Sequence, residues 1–173
     1  IFSERTGDTS NREIDMTHNA SELVLERITF RNNHFTFRNQ AALSCIYFDQ
    51  SGGAVASKIR DILFEGNTFV TQHPTSQVFS LADNTGRQID GITIKNNVFK
   101  GASAALIWMF GTSTATTTYA TTYRRGLEIL DNTIYFDKTG LTSSTDYNLF
   151  ALHQWASIKI KNNKIIATGD FGG

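Results

Sequence analysis

The sequence predicts an all-β chain that folds as a parallel β-helix, a solenoid in which each coil adds one strand to each of several sheets. The first observation is a phrase that occurs five times: an apolar–x–apolar triplet, one further residue, a pair ending in asparagine, and an apolar residue two places later. Its copies cover residues 28–35, 62–69, 92–99, 127–134 and 158–165. The second observation is the spacing of the asparagines, which lie 34, 30, 35 and 31 residues apart at positions 33, 67, 97, 132 and 163. A period of this length is typical of solenoid proteins.

Each copy of the phrase predicts a strand, a sharp bend and a second strand. The apolar–x–apolar triplet has the period of a strand with one buried face. The pair that follows ends in Asn and begins with Asn, Gly or Asp, the residue types that adopt left-handed backbone conformations at least cost. Helical repeats of similar length are disfavoured by the Asn pair and the β-branched residues in the middle of each repeat. If strands stack about 4.8 Å apart, the five asparagines form a ladder in which each amide hydrogen-bonds to the next.

A further apolar segment precedes each phrase and predicts a third strand in every coil. These segments are residues 14–17, 45–48, 79–82, 107–110 and 149–152. About five coils of three strands, with one tight Asn bend and two loops of variable length, resemble the right-handed parallel β-helix of the pectate-lyase-like superfamily. The resemblance covers residues 14 to 165. It implies a carbohydrate-directed function of one of several kinds, because the superfamily includes pectate and alginate lyases, polygalacturonases, epimerases, phage tailspike depolymerases and non-catalytic adhesins.

The composition limits the choice of partners and of architecture. At 173 residues we expect a single domain over 1–173, and the absence of an amphipathic capping helix leads us to expect a piece of a longer solenoid. Sixteen basic and sixteen acidic residues cancel, so nucleic acid is not expected as a partner. No apolar run reaches membrane-spanning length, so no membrane insertion is expected. The single Cys45 is predicted to be a packed thiol. The resemblance implies an extracellular, secreted or virion-surface location.

Any functional site is predicted to lie at the two corners of each coil that carry loops, because the Asn bend is too short to build one. The longest predicted loop, residues 112–126, is polar and rich in threonine. One interpretation makes it a wall of a sugar-binding groove, with Tyr119 and Tyr123 as contacts and with Arg124 and Arg125 facing an anionic polymer. The alternative is a solvated excursion without a binding role.

An internal alignment predicts a catalytic or metal-binding column. Asp49 and Asp83 each begin an Asp-[Gln/Asn]-[Ser/Thr]-Gly motif, and their spacing of 34 equals that of the first two ladder asparagines. Two carboxylates stacked within about 5 Å either shift one pKa upward or share a cation. The pair is therefore predicted to be a glycosidase-type acid pair or, by the resemblance, a Ca²⁺ site, with His18 or His153 as a general acid or base. The alternative is that these residues only form turns.

The same alignment assigns the two faces of the strand that precedes each phrase, which is the first strand of its coil. It places Cys45 and Tyr47 inward, and it places four aromatic residues outward as a platform for sugar rings. These four residues are Phe48, Trp108, Phe110 and Phe150. The alternative is that loops or neighbouring chains cover them, as in a tailspike-like homotrimer. A slip of one residue would exchange the two faces.

The catalytic signatures of two subclasses are missing from the sequence. Polygalacturonases carry N-T-D, D-D, G-H-G and R-I-K in successive coils, and the R-x-P-x-x-R run of pectate lyases is not supplied by the single Pro74. The resemblance implies polysaccharide binding, with cleavage by a lyase or glycosidase mechanism left open, in a groove formed by the first strand of each coil, which precedes each phrase, and its flanking loops. The alternative is a non-catalytic stalk, adhesin or tail-fibre segment that oligomerises through its apolar face.

Overall fold

A computed structural model of the chain describes residues 14–15, 24–37, 44–48, 58–71, 77–81, 88–101, 107–109, 124–137, 149–152 and 155–168. The described residues form fifteen strands. In chain order these are β1 (Ile14–Asp15), β2 (Val24–Arg31), β3 (His34–Phe37), β4 (Ser44–Phe48), β5 (Lys58–Glu65), β6 (Thr68–Thr71), β7 (Gln77–Leu81), β8 (Gln88–Lys95), β9 (Val98–Gly101), β10 (Ile107–Met109), β11 (Arg124–Leu130), β12 (Thr133–Asp137), β13 (Phe150–Leu152), β14 (Ile158–Lys161) and β15 (Lys164–Thr168).

Every third strand belongs to the same sheet, and all strand pairs are parallel. Sheet A has the order β1-β4-β7-β10-β13, sheet B the order β14-β11-β8-β5-β2, and sheet C the order β15-β12-β9-β6-β3. The predicted all-β class with parallel pairing is confirmed, and the topology is compatible with a parallel β-helix. Within the described ranges no helix is long and apolar enough to cross a membrane.

The bend between sheets B and C has the predicted left-handed geometry in all five copies. The first residue of each pair has a positive φ, with values of 57° at Asn32, 67° at Gly66, 54° at Asn96, 54° at Asp131 and 56° at Asn162. The bend takes two residues each time. The local preference of Asn, Gly and Asp for this conformation therefore determines where each strand of sheet B ends and each strand of sheet C begins.

The second asparagine of each pair forms the predicted ladder. The backbone N–H of Asn67 donates to Oδ1 of Asn97 at 2.8 Å, and Nδ2 of Asn67 donates to the same oxygen at 3.1 Å. Nδ2 of Asn97 also donates to the carbonyl oxygen of Phe64 at 3.0 Å. The same bonds between successive rungs recur from Asn33 to Asn163. The three inner rungs, Asn67, Asn97 and Asn132, are buried, and their amides are satisfied as buried polar groups must be.

A second column of left-handed residues lies inside the long strands of sheet B. Arg27, Asp61, Gly91 and Gly126 have φ values of 56°, 55°, 88° and 73°. Each immediately precedes the apolar triplet of its phrase. The sequence prediction ended the longest loop at residue 126, but β11 already begins at Arg124, and β5 and β8 likewise begin three residues before Asp61 and Gly91. The predicted loop boundaries are wrong there because a single left-handed residue turns the strand without ending its ladder.

Aromatic side chains from all three sheets meet in one core. Phe30 stacks on Phe64 at a centroid distance of 4.9 Å in sheet B, and Phe69 stacks on Phe99 at 5.1 Å in sheet C. Phe79 of sheet A packs edge-on against Phe64 at 4.8 Å and against Phe69 at 5.3 Å. Such contacts add to the area burial of each ring. The three sheets therefore share one apolar interior.

The predicted register of sheet A is wrong by one residue. Ile46 pairs with Phe79 and Phe48 with Leu81, an offset of 33, whereas Phe37 still pairs with Thr71 at an offset of 34. The connection before β7 is one residue shorter than the connection before β4. As a result Phe48 is fully buried in the core, and it does not lie on the predicted outer face.

Two other assignments are affected: Phe150 by a separate difference in the pairing of β13 with β10, and Cys45 and Tyr47 by the slip between β4 and β7. Phe150 pairs with Ile107 and packs partly buried against the core, so its predicted outward position is also wrong. Cys45 and Tyr47 were predicted inward; they alternate along β4 with the buried Ile46 and Phe48. Their side chains lie outside the described part of the structure.

Candidate functional site

Most residues of the predicted site lie outside the described part of the chain. These are His18, Asp49, Asp83, Phe110, Tyr119, Tyr123 and His153. Trp108 lies in β10 and Arg124 begins β11, and for both only the backbone is described. The structure therefore bears on the candidate site through the strands that flank it and through Phe48, Phe150 and Arg125.

The register of sheet A removes the argument that stacked Asp49 over Asp83. That prediction needs an offset of 34 residues, and the strands that lead to the two aspartates end at an offset of 33. A shared proton or a shared cation for this pair therefore has no support from the alignment. Among the described residues, no three His, Cys, Asp or Glu side chains gather into a metal-binding group.

The long connections of the chain all flank sheet A. Sheet B passes to sheet C in two residues, whereas each passage from sheet C to sheet A or from sheet A to sheet B takes five residues or more. The longest runs are residues 110–123 and 138–149. Because loops rather than strands supply most binding groups on repetitive scaffolds, sheet A is the side on which this chain has material for a site.

The outer face of the central strand of sheet A is covered. Phe79 points into the core, so its neighbours Val78 and Ser80 occupy the opposite face of β7. Both are buried all the same, with exposed fractions of 0% and 7%. Outer positions of the other sheets, such as Leu63 and Val70, remain half-buried. The outer face of β7 is therefore not an open platform.

Two aromatic residues flank the covered position in the backbone register. Ser80 pairs with Tyr47 of β4 on one side and with Trp108 of β10 on the other. Trp108 was predicted for the outer face, and it alternates along β10 with Ile107, the partner of the buried Phe79. In the backbone register Trp108 therefore lies beside Ser80, on the row of β7 that faces away from the core. The side chain of Trp108 lies outside the described part.

The outer face of sheet B carries a column of alternating charge. Its members in successive coils are Glu26, Arg60, Asp90 and Arg125. Arg60 is bonded to Glu26, and Nη2 of Arg125 lies 2.5 Å from Oδ2 of Asp90. The hydrogen bond from Arg125 holds the pKa of Asp90 below its ordinary value. Arg125, predicted to face an anionic polymer, thus already has a carboxylate partner, and it lies in a strand instead of a loop.

A second column of paired charges lies beside the first. Glu65 accepts from Nζ of Lys95 at 2.9 Å and is 2.7 Å from Nη2 of Arg31. The hydrogen bond from Lys95, followed by that from Arg31, lowers the pKa of Glu65. Glu128 and Lys159 form a further pair at 3.3 Å. Each carboxylate of these two columns thus has a basic partner and is not free to bind a metal ion.

Sequence reasoning missed these charge columns, although the signal was available. Arg31, Glu65 and Lys95 are the fourth residue of the first three phrases. Because the phrases stack in register, equal positions in successive copies become neighbours about 4.8 Å apart. Alignment of the phrases for charge as well as for Asn would have predicted the pairs.

Comparisons with known proteins find no match for this chain. No protein-family model matches it, and neither the curated proteins nor the solved structures contain a significant match. The resemblance to the pectate-lyase-like superfamily therefore depends on the repeated phrase and on the stacking of parallel sheets.

Proposed function

We propose that the chain is a right-handed parallel β-helix of about five coils, of the pectate-lyase-like type, and that it binds a polysaccharide on the side of sheet A. The observation that carries the proposal is the position of the long connections, all of which flank this sheet. Sheet B is a weaker candidate because its outer charges are already paired. A polysaccharide-binding chain of this type acts outside the cell or on a virion surface.

The proposed binding surface is made by the connections that flank sheet A in the chain, with strand residues only at its margin. Burial of Val78 and Ser80 favours this version over a bare strand platform. Tyr119 and Tyr123 in the longest connection would stack on the apolar faces of sugar rings, together with Trp108 and Phe110. Arg124 follows that connection directly, and a guanidinium binds carboxylates with two parallel hydrogen bonds.

Cleavage of the bound polymer is a separate part of the proposal. Asp49 and Asp83, at the end of sheet A, are its candidate acid groups or Ca²⁺ ligands, and His18 or His153 would assist proton transfer. This part of the proposal does not depend on a stacked pair of carboxylates, since the offset of 33 at the ends of β4 and β7 gives that arrangement no support. The Asp49→Asn variant tests the step: loss of product with retained binding supports catalysis, and unchanged product formation removes the assignment.

The second candidate function is a non-catalytic stalk or adhesin segment. It is favoured by the continuous asparagine ladder and by the charge pairs of sheet B, which connect successive coils. In this version an apolar face near sheet A packs against other copies, for example in a homotrimer. Any binding function of the assembly would then belong to a part other than this segment.

A binding screen separates the two candidates. Acidic and neutral polysaccharides are titrated onto the protein, and products are assayed both as unsaturated uronates and as new reducing ends. We expect binding that falls at least tenfold in a Tyr119→Ala, Tyr123→Ala double variant. Tyr135→Ala is the matched control, because Tyr135 is an exposed tyrosine on sheet C. Absence of binding to every polymer, together with a trimeric mass in sedimentation, would favour the stalk.

A further inference from the structure

Sheet B carries an excess of positive charge. Its five strands, β2, β5, β8, β11 and β14, contain nine basic and five acidic residues, a net formal charge of +4. The whole chain has sixteen residues of each sign, so the remainder of the chain has a net formal charge of −4. The charge of this protein is therefore distributed unevenly between one sheet and the rest of the molecule, and such an asymmetry attracts a partner of opposite sign.

The basic groups of sheet B are more exposed than the carboxylates that bind them. In each ion pair between described residues, the base is the more exposed partner. The side chains of the bases are 35% to 78% exposed, and those of the carboxylates are 19% to 37% exposed. The bases are Arg27, Arg31, Arg60, Lys95, Arg125 and Lys159. Pairing therefore does not hide the cations from a ligand that approaches the outer face of the sheet.

The paired arginines keep donors for a second anion. A guanidinium has five N–H donors in one plane, and a carboxylate uses two of them. Nε of Arg31 donates to Oε2 of Glu65 at 2.8 Å, and Nη2 of Arg31 lies 2.7 Å from the same oxygen. Arg60 binds Glu26 through the same two nitrogens. In both residues the N–H groups of Nη1 lie on the other edge of the guanidinium, where they can donate to a further anionic group.

The outer face of sheet B offers charge without a surface for stacking. The aromatic residues of its five strands are Phe30 and Phe64, and both pack in the core. Nucleic-acid bases stack on aromatic side chains, and sugar rings pack their apolar C–H faces on them. The ligand that fits this face is therefore one recognised by its charge.

The alternation of charge along each column favours separate anionic groups over a continuous polyanion. Arg60 and Arg125 lie two coils apart, with Asp90 in the coil between them, which is a separation of about 10 Å. A linear polyanion lying along this column would pass over the carboxylate of Asp90. Lipid headgroups diffuse independently of one another, so they can gather at the cations and avoid the carboxylates. Basic clusters of this kind are attracted to anionic lipid surfaces.

We propose that the outer face of sheet B adsorbs to an anionic lipid surface, with the acidic headgroups bound to the exposed arginines and lysines. Adsorption depends on charge and not on insertion, because the apolar Leu63 between the two charge columns is already half-buried. Binding of this kind weakens as salt screens the charges. The outer face of sheet A points in another direction, since the two sheets share one apolar interior. The inference is independent of the proposed polysaccharide function.

Cosedimentation with lipid vesicles tests the inference. Vesicles that contain phosphatidylserine in phosphatidylcholine are compared with vesicles of phosphatidylcholine alone, at low and at high salt. At low salt we expect the protein to bind the anionic vesicles about tenfold more tightly or better. High salt is expected to remove most of this difference.

Two double variants with the same change in net charge separate the role of the face from that of overall charge. Arg60→Gln with Arg125→Gln removes two cations from sheet B and is expected to weaken binding to anionic vesicles about tenfold. Lys100→Gln with Lys164→Gln removes two exposed lysines from sheet C and is expected to weaken it less than about twofold. Circular dichroism checks that both variants keep their β structure.

A third variant changes the charge of the face in the opposite direction. Glu65→Gln removes the carboxylate between Arg31 and Lys95, and at neutral pH it is expected to strengthen binding to anionic vesicles severalfold. Equal binding to neutral and anionic vesicles, no binding to either, or equal losses in the two double variants would overturn the inference. Binding to an acidic polysaccharide such as polygalacturonate that depends on Arg60 and Arg125, without binding to vesicles, would also overturn it, since the occupant would then be a polymer.

Discussion

At the residue scale, one asparagine in each coil belongs both to the two-residue bend and to the hydrogen-bonded ladder that connects successive coils. Its neighbour takes the left-handed conformation, and its own amide uses both oxygen lone pairs and both hydrogens at the inner rungs. Burying an amide is favourable only when its hydrogen bonds are satisfied. The ladder therefore favours one register between coils. A coil that slips by one residue loses the hydrogen bonds of its asparagine to the asparagines of both neighbouring coils.

Loss of an inner rung is expected to be costly. Asn97→Ala leaves the N–H and Nδ2 of Asn67 without their acceptor and the carbonyl of Phe64 without its donor. We expect the free energy of unfolding to fall by roughly 3 kcal/mol in urea denaturation. The matched control is Asn33→Ala at the exposed first rung. Less than about 1 kcal/mol should be lost there, because the backbone N–H of residue 33 still donates to Oδ1 of Asn67. Equal losses would contradict this account of the ladder.

Two glycines with positive φ are expected to differ in their tolerance of alanine. A Cβ at Gly101, where φ is 122°, would lie 2.0 Å from the carbonyl oxygen of Thr71. The strand itself must move, so Gly101→Ala is expected to cost on the order of 3 kcal/mol. A Cβ at Gly66 would meet only Oδ1 of Asn32, a side-chain atom that can rotate away, and Gly66→Ala is expected to cost about 1 kcal/mol. Thermal denaturation compares the two variants, and a larger loss for Gly66→Ala would contradict the ranking.

At the scale of a sheet, the outer face of sheet B is organised by charge alternation between coils. Isolated surface ion pairs contribute little to stability, but a carboxylate held between two cations matches one coil to both of its neighbours. Glu65 has this arrangement, with Arg31 in the preceding coil and Lys95 in the following one. The charges thus favour the register that the asparagine ladder and the core require.

The paired Glu65 is expected to make stability depend on acid. Its pKa in the folded chain is below the ordinary value of 4.5, because Lys95 and Arg31 bond to its charged form. Its stabilising effect is thus fully present above about pH 4.5 and is lost as the pH falls through the lowered pKa. Glu65→Gln should therefore show a flatter loss of stability than wild type below pH 4.5, measured by urea unfolding across a pH series.

A second measurement isolates the cause of that dependence. In Lys95→Met the first of the two bonding partners is removed, so the pKa of Glu65 should rise toward its ordinary value. Carboxyl-carbon NMR titration measures it directly. The same titration midpoint in Lys95→Met and wild type would show that the pair does not hold the carboxylate in its charged form.

At the scale of the whole molecule, each described strand pairs only with strands one repeat before or after it in its own sheet. Stability in such stacks is a sum of terms from each coil and from its neighbour contacts. The middle coils have two neighbours and fully buried core residues, whereas the isoleucines of β14 and β15 are half-exposed. Rigidity is therefore expected to decline from the centre of the stack toward its ends.

Amide hydrogen exchange measured by NMR tests this gradient. The amides of β8 and the backbone N–H of Asn97 should exchange roughly tenfold or more slowly than the amides of β14, because opening the edge coil disrupts one interface only. Uniform protection along the stack would show that the described coils open as a single unit.

The sequence predicted the elements of this fold better than the details of its candidate site. Apolar triplets and Asn pairs indicated the strands and the bend correctly, because both depend on local conformational preference. The place of the loops beside sheet A was also predicted. The face of Phe48 was wrong, since it depended on one residue in a connection whose length the repeat does not constrain. Arg125 was assigned to the loop that precedes the fourth phrase, but it lies in β11, where Gly126 is a bend within the strand.

The sequence by itself determined the period of this protein, the Asn bend and the asparagine ladder, because left-handed residues and alternating apolar residues act within a few positions of the chain. Only the tertiary structure decided which residues of sheet A enter the core and which charges pair on sheet B. Both follow from the register between coils about 30 residues apart, and that register is a compromise between ladder bonds, core packing and loop length. A single inserted residue changes it, and no local preference records the change.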